Sequence, residues 1–197
     1  MVISKLRDRL NPVIIKLVRF LDVVGIKPWQ LTFSSLLLTI MSFLIIILQE
    51  RGSCLIIIAI ILFLLAGLMD GLDGALARYQ GTASKWGAFY DSTIDRINEI
   101  LFILALYIAG IINALSSLLY MSTSLIISYL RARAESLSVN IEGIGIMERG
   151  ERIVLLCLVI ILWLYFPVNI NIAIYILVVL NVITIIERIY AVYHHLH

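Results

Sequence analysis

Met69-Asp70-Gly71-Leu72-Asp73-Gly74-Ala75-Leu76-Ala77-Arg78, followed after a short turn by Gly87-Ala88-Phe89-Tyr90-Asp91-Ser92-Thr93-Ile94-Asp95, decides how this chain is read. The fixed skeleton is D-x2-D-G-x2-A-R-x8-G-x3-D-x3-D. On a helix, Asp70, Asp73, Gly74 and Ala77 fall at i, i+3, i+4 and i+7, one stripe with two carboxylates and two small residues. Gly87, Asp91 and Asp95 fall at i, i+4 and i+8 and make a second stripe. Both stripes border apolar runs long enough to cross a bilayer. Ionisable groups at membrane depth are expensive and mark a functional, water-filled cavity. Four acids with no Cys or His beside them suit a hard cation such as Mg²⁺, which prefers oxygen ligands. That is the chemistry of a site that handles phosphates.

Working outward, the chain is 62% hydrophobic and only 14% charged, with a mean hydropathy of +1.06, which excludes an ordinary soluble domain. Its 197 residues leave room for one compact helical membrane domain, residues 1–197, and little else. Apolar spans are read at 31–49, 54–77, 87–112, 115–134, 152–168 and 170–192, each near the ~20 residues a bilayer demands. The expected fold is therefore an all-α integral membrane protein with six transmembrane helices, a bundle over 31–192. Ahead of it, Ile3, Leu6, Leu10, Val13, Ile14, Leu17, Val18 and Leu21 recur at helical spacing among Lys5, Arg7, Arg9, Lys16 and Arg19. Residues 1–22 accordingly read as an amphipathic interfacial helix, with a bend at Pro12. The basic N-terminal stretch, without a small-residue cleavage site after a short apolar core, does not read as a secretory signal. Cys54 and Cys157 sit in apolar runs and read as packing thiols. A net charge of +2 carries no basis for a nucleic-acid partner; the lipid bilayer is the expected surroundings.

Lysines and arginines orient the bundle. An even number of spans puts both termini on one side, with Lys27, Arg78, Lys85, Arg131, Arg133, Arg149, Arg152 and Arg188. The opposite loops hold Arg51 and almost no other charge. The positive-inside rule makes both termini, and the acidic motif with them, cytoplasmic in a multi-pass cell-membrane protein.

Tyr79–Lys85 is a polar hinge with Gly81 as its turn residue, so the two acidic stripes can face each other across an antiparallel pair. Carboxylates brought together this way repel unless cations lie between them. Two metals about 3.5–4 Å apart would clamp a diphosphate and stabilise a departing phosphate. A divalent-cation transporter is the rival reading, since acids in membranes also line ion routes. Arg78 opposes cation passage but suits a phosphate or a neighbouring carboxylate. A second constellation lies at helix ends on the same predicted side: Arg131 and Arg133, Arg149 and Arg152, and Arg188. Basic residues there also serve topology and touch headgroups. Arg rather than Lys at all five positions fits a phosphate pocket better, because the guanidinium is a planar fork.

The acidic skeleton resembles the signature of the CDP-alcohol phosphotransferases at every fixed position, and the resemblance extends over the whole chain. It implies transfer of a phosphate-linked group from a CDP-alcohol to a hydroxyl with release of CMP. It also implies Mg²⁺ or Mn²⁺, two ions, on Asp70, Asp73, Asp91 and Asp95. Asp91 is then catalytic, and Asp95 is ligand, proton acceptor or both. Asp70, Gly74, Ala77, Arg78, Ser84 and Gly87 would surround the CDP donor, with Pro28 lining it from a preceding element. Within the family the arrangement most resembles the branch that uses inositol phosphate. Arg131, Arg149 and Arg188, with Arg133, would hold the acceptor phosphate, making inositol 1-phosphate the acceptor and a CDP-linked lipid the donor. CDP-inositol with inositol phosphate, or glycerol 3-phosphate as acceptor, remain open as alternatives. The family also implies a homodimer, and the Ile/Leu-rich composition would suit an archaeal thermophile.

Overall fold

The computed structural model describes residues 14–49, 55–167 and 169–196. Pro12, Arg51, Cys54 and the first part of the expected interfacial helix lie outside the described residues. Among those described there are seven helices and no strand. They are α1 (residues 14–23), α2 (Pro28–Leu48), α3 (Leu55–Tyr79), α4 (Lys85–Ile108), α5 (Ala114–Ser136), α6 (Arg149–Tyr165) and α7 (Ile170–Leu196). By length and composition α2, α3 and α7 can cross a membrane. α4 has the length, but Asp91, Asp95, Arg96 and Glu99 interrupt its apolar sequence.

Helix boundaries differ from the expected spans for local reasons. α2 starts at Pro28, three residues earlier than hydropathy suggests, because proline suits the first turn and Gln30 accepts the Lys27 N–H at 2.8 Å. α4 starts at Lys85, since the Ser84 hydroxyl caps it by accepting the Gly87 N–H at 3.0 Å. It stops at Ile108, before Gly110 at φ +66°. α6 runs from Arg149 to Tyr165 rather than from 152 to 168, ending where Phe166 turns extended ahead of Pro167.

The helices form two compact units that divide between Ala109 and Gly110. In the first, α2 packs against both α3 and α4. Thr32, Ser35, Thr39 and Ser42 make a buried stripe of small polar residues along it. In an apolar medium such residues permit close backbone approach and supply cross-helix hydrogen bonds. Ser42 donates to the Ala59 carbonyl at 2.8 Å, and Asn98 of α4 donates to Ser35 Oγ at 3.2 Å. Phe63 and Phe102 stack at 3.8 Å between ring centroids, joining α3 to α4 below the acids. The described part of α1 buries Val18 with Leu31, Leu72 and Leu76, flanked by Ile14 and Leu21. Lys16 and Arg19 are exposed, but so are Ile15, Leu17 and Phe20. Leu17 thus leaves the apolar face that its spacing assigns to it.

In the second unit α7 packs against α5 and α6. Asn113 caps α5 by accepting the Ser116 N–H at 2.7 Å, and Asn181 donates to Thr123 Oγ1 at 3.0 Å within the buried interior. Cys157 is a buried free thiol.

Candidate active site

The acidic stripes of α3 and α4 take shape around a tightly closed hinge. Thr82 N–H returns to the Ala77 carbonyl at 2.9 Å, and Gly81 sits at φ +66°, a left-handed position that glycine adopts without strain. Gln80 donates to Asp22 Oδ1 at 2.9 Å and to the Ile26 carbonyl at 3.1 Å, tying the hinge to the α1–α2 turn. The result is a cleft of about 810 Å³ between the α1–α2 turn, α3 and the start of α4. Pro28, Gly74, Ala77, Arg78, Ser84 and Gly87 line it, six of the seven residues expected around the donor, together with Asp73 and Asp91. Asp70 is not among its lining residues. Lys27, Trp29, Trp86 and Tyr90 also contribute to the wall, a set the motif does not contain.

Two glycines keep the wall thin. A Cβ on Gly74 would lie 3.4 Å from Arg78 Nη1, and one on Gly87 would press to 3.2 Å on the Ser84 hydroxyl. Arg78 is exposed and, among the described residues, its guanidinium takes part in no hydrogen bond or ion pair, so it can receive an anion.

Three of the four acids gather. One carboxylate oxygen each of Asp70, Asp91 and Asp95 lies within 4.8 Å of the others. Asp70 and Asp95 are buried and Asp91 is half-buried, its position shared between this cluster and the cleft. An all-oxygen donor set crowded at the end of apolar helices fits a hard divalent cation. Asp73 stands apart from that trio: it is buried and accepts a short hydrogen bond from Thr32 Oγ1 of α2. Thr32 is buried and also lies 3.3 Å from the Pro28 carbonyl. Its backbone carbonyl accepts Ser35 Oγ at 2.8 Å, and Ser35 in turn receives Asn98. Motif spacing alone does not single out Thr32, Asn98, Arg96 and Glu99. Arg96 Nη1 lies 3.4 Å from Asp95 Oδ2, and Glu99 continues the α4 stripe one turn beyond Asp95 as a buried acid. The available signal is a hydroxyl one turn into a span that begins with proline, Glu99 continuing the i+4 series, and Asn98 one turn beyond Asp95 at i+3.

The arginines of the second unit separate into two kinds. Arg188 is 3% exposed and donates Nε to the Ile144 carbonyl at 3.0 Å and Nη1 to the Ile127 carbonyl at 2.8 Å. Arg152, Arg131 and Glu148 lie within its electrostatic reach. Arg131 is half-buried and pairs with Glu135 at 2.9 Å, and Arg149 is half-buried at the start of α6. Arg133, by contrast, is exposed and turned to Ser136 Oγ at 3.3 Å. Arg152, one of the five but not among the four expected to hold the acceptor phosphate, is 2% exposed and donates to the Met147 carbonyl at 3.2 Å.

Residues 26–187 match the family of CDP-alcohol phosphatidyltransferases. The chain is 35% identical over 188 residues to the archaetidylinositol phosphate synthase of Pyrococcus horikoshii, covering 95% of each chain. Among solved structures it is similar to the phosphatidylinositol phosphate synthase of Mycobacterium tuberculosis with CDP-DAG bound, at 26% identity and a TM-score of 0.75, covering 92% of this chain and 94% of that one. The same synthase in complex with manganese and citrate aligns at 27% identity and a TM-score of 0.74, over 90% of this chain and 88% of that one.

Proposed function

The chain belongs to the CDP-alcohol phosphatidyltransferase family, and on that premise we propose that it transfers an archaetidyl or phosphatidyl group from a CDP-linked lipid to a hydroxyl of inositol 1-phosphate, releasing CMP. The observation that carries the reading is the convergence of the Asp70, Asp91 and Asp95 carboxylates beside a cleft lined by Gly74, Ala77, Arg78, Ser84 and Gly87. Names of the relatives, which specify inositol phosphate, support the choice of acceptor.

In the reaction a bond forms between an acceptor oxygen and the lipid-bearing phosphorus, and the bridging bond to CMP breaks. Asp70, Asp91 and Asp95, with Asp73, would hold Mg²⁺ or Mn²⁺, two ions when the donor is bound. A divalent ion there supplies charge neutralisation of the diphosphate and of departing CMP. Thr32 keeps the Asp73 carboxylate in one orientation. Arg78 binds the diphosphate as a fork, and the bare backbones at Gly74 and Gly87 leave room for the nucleotide. Pro28 closes the donor side. Asp95 accepts the proton of the attacking hydroxyl, a step that needs a carboxylate in hydrogen-bond reach of the acceptor. The acceptor phosphate is the ligand of Arg131, Arg149 and Arg188, with Arg133 contributing charge.

The proposal includes six transmembrane helices, α2 to α7, with both termini and the site cytoplasmic, and a homodimer in the cell membrane. The lysine and arginine distribution supports the orientation. The test is a donor-by-acceptor matrix on purified protein. CDP-archaeol, CDP-diacylglycerol and CDP-inositol are combined with inositol 1-phosphate, glycerol 3-phosphate, serine and free inositol. CMP release with a CDP-lipid and inositol 1-phosphate, abolished by a chelator, is the expected result. Turnover only with serine or free inositol would remove the phosphate-pocket assignment. No CMP with any pair, together with metal flux in liposomes, would replace the enzyme by a transporter.

A further inference from the structure

Thr184 and Arg188 lie one helical turn apart on the buried face of α7, and the loop between α5 and α6 fastens to both. Thr184 is fully buried, and its Oγ1 accepts the Met147 N–H at 2.9 Å. Gly145, at φ +110°, faces the Thr184 methyl so closely that an added Cβ would overlap it. One residue earlier, the Ile144 carbonyl accepts Arg188 Nε. The Met147 carbonyl meanwhile accepts Arg152 Nη1, so both sides of this buried residue are held. Met147 stands two residues before Arg149, the first residue of α6. The Thr184 hydroxyl thereby helps anchor the peptide from which Arg149 emerges, and the Gly145 contact lies next to one of the two carbonyls that hold Arg188.

We infer that Thr184, seated against Gly145, is a positioning residue that fixes the spacing of Arg149 and Arg188 for the acceptor phosphate. Two guanidiniums grip one phosphate only when their forks are held at a set separation. Neither Thr184 nor Gly145 carries charge or needs to touch substrate. The inference rests on the proposal that Arg149 and Arg188 bind that phosphate.

The experiment uses the full chain in bilayer discs, with CMP release measured against inositol 1-phosphate and CDP-lipid in turn. Thr184→Val keeps the shape and removes the acceptor of the Met147 N–H; the acceptor KM should rise about tenfold while the donor KM holds, the scale of one lost hydrogen bond. Thr184→Ser should restore the acceptor KM. Hydrogen exchange at the Met147 amide should quicken in Thr184→Val and not in Thr184→Ser. A purely structural role would lower Tm and the yield of active enzyme with both KM values unmoved, and that result overturns the inference. If Thr184→Val does not accumulate, Gly145→Ala poses the same question and should show the same split. Arg188→Ala separates the two readings. If it raises the acceptor KM and the Thr184 and Gly145 variants do not, the positioning role fails alone. If Arg188→Ala also leaves the acceptor KM unchanged, the phosphate-pocket reading has failed and the positioning role fails with it.

Discussion

Residue by residue, the four acids are not equivalent, because their surroundings differ. Asp70, Asp91 and Asp95 present oxygens to one another, an arrangement that repels until a cation enters. Asp70→Asn and Asp91→Asn should each abolish CMP release and weaken Mn²⁺ binding, read by electron paramagnetic resonance. Asp95→Asn should abolish turnover yet keep more of the CDP affinity; equal loss of metal and nucleotide binding in all these variants would remove the case for Asp95 as the base. Asp73 has a neutral donor in Thr32. A hydrogen bond to a charged group contributes about 1.5–3 kcal/mol, so Thr32→Val should lower kcat by about tenfold or more. Retention of full kcat in Thr32→Val would show that Asp73 keeps its orientation without that hydroxyl. The arginines divide by burial in the same way. Arg188→Ala takes a donor from the buried Ile127 carbonyl and the part-buried Ile144 carbonyl, and should cost stability as well as raise the acceptor KM by about tenfold or more. Arg133, exposed and with its guanidinium bonded only to Ser136 among the described residues, should tolerate alanine with an acceptor KM within about threefold of the parent, since screened surface charges are worth about 0–1 kcal/mol.

At the level of the element, the start of α4 is where local folding and ligand space coincide. Ser84 caps the helix through Gly87, and Gly87 is bare because a methyl would crowd the capping hydroxyl. Replacing the cap with alanine costs about 1 kcal/mol of helix stability. Ser84→Ala should therefore lower Tm and raise the donor KM together. Gly87→Ala should do the same by a different route, pushing on the hydroxyl instead of removing it. The double variant should lose less than the sum of the two, because the crowded group is already gone. Strict additivity in Tm would mean that the 3.2 Å approach carries no strain. The α2 stripe of Thr32, Ser35, Thr39 and Ser42 is the counterpart on the other wall: small hydroxyl residues at helical spacing let α2 seat against α3 and α4 while one of them reaches an acid.

For the whole molecule, the orientation proposal has a direct consequence. A cysteine introduced at the C-terminal end of α7 should resist membrane-impermeant maleimide in intact cells and react in opened ones; labelling in intact cells would invert the topology. The helical class, the approximate helices and the pairing of the two acidic stripes were all legible in the chain. Helical periodicity places residues at i, i+3, i+4 and i+7 on one side whatever the helix packs against. The cost of charge in hydrocarbon singles out four acids as candidates from their positions along the chain alone, and three of them gather. Three residues of the cleft wall were legible for the same reason, since Gly74, Ala77 and Gly87 belong to those stripes. Three things were not. Thr32 meets Asp73 across 41 residues, and Asn98 meets Ser35 across 63. Arg152 is buried while Arg133, a similar arginine at a similar helix end, is exposed. Leu17 faces outward although its spacing puts it with Val18. Each of these depends on which helix lies opposite, and in an apolar medium that choice is made by close packing of small residues and by hydrogen bonds between helices. Periodicity along one helix carries no record of its partner's rotation, so the stripes belonged to the sequence and their partners to the tertiary structure.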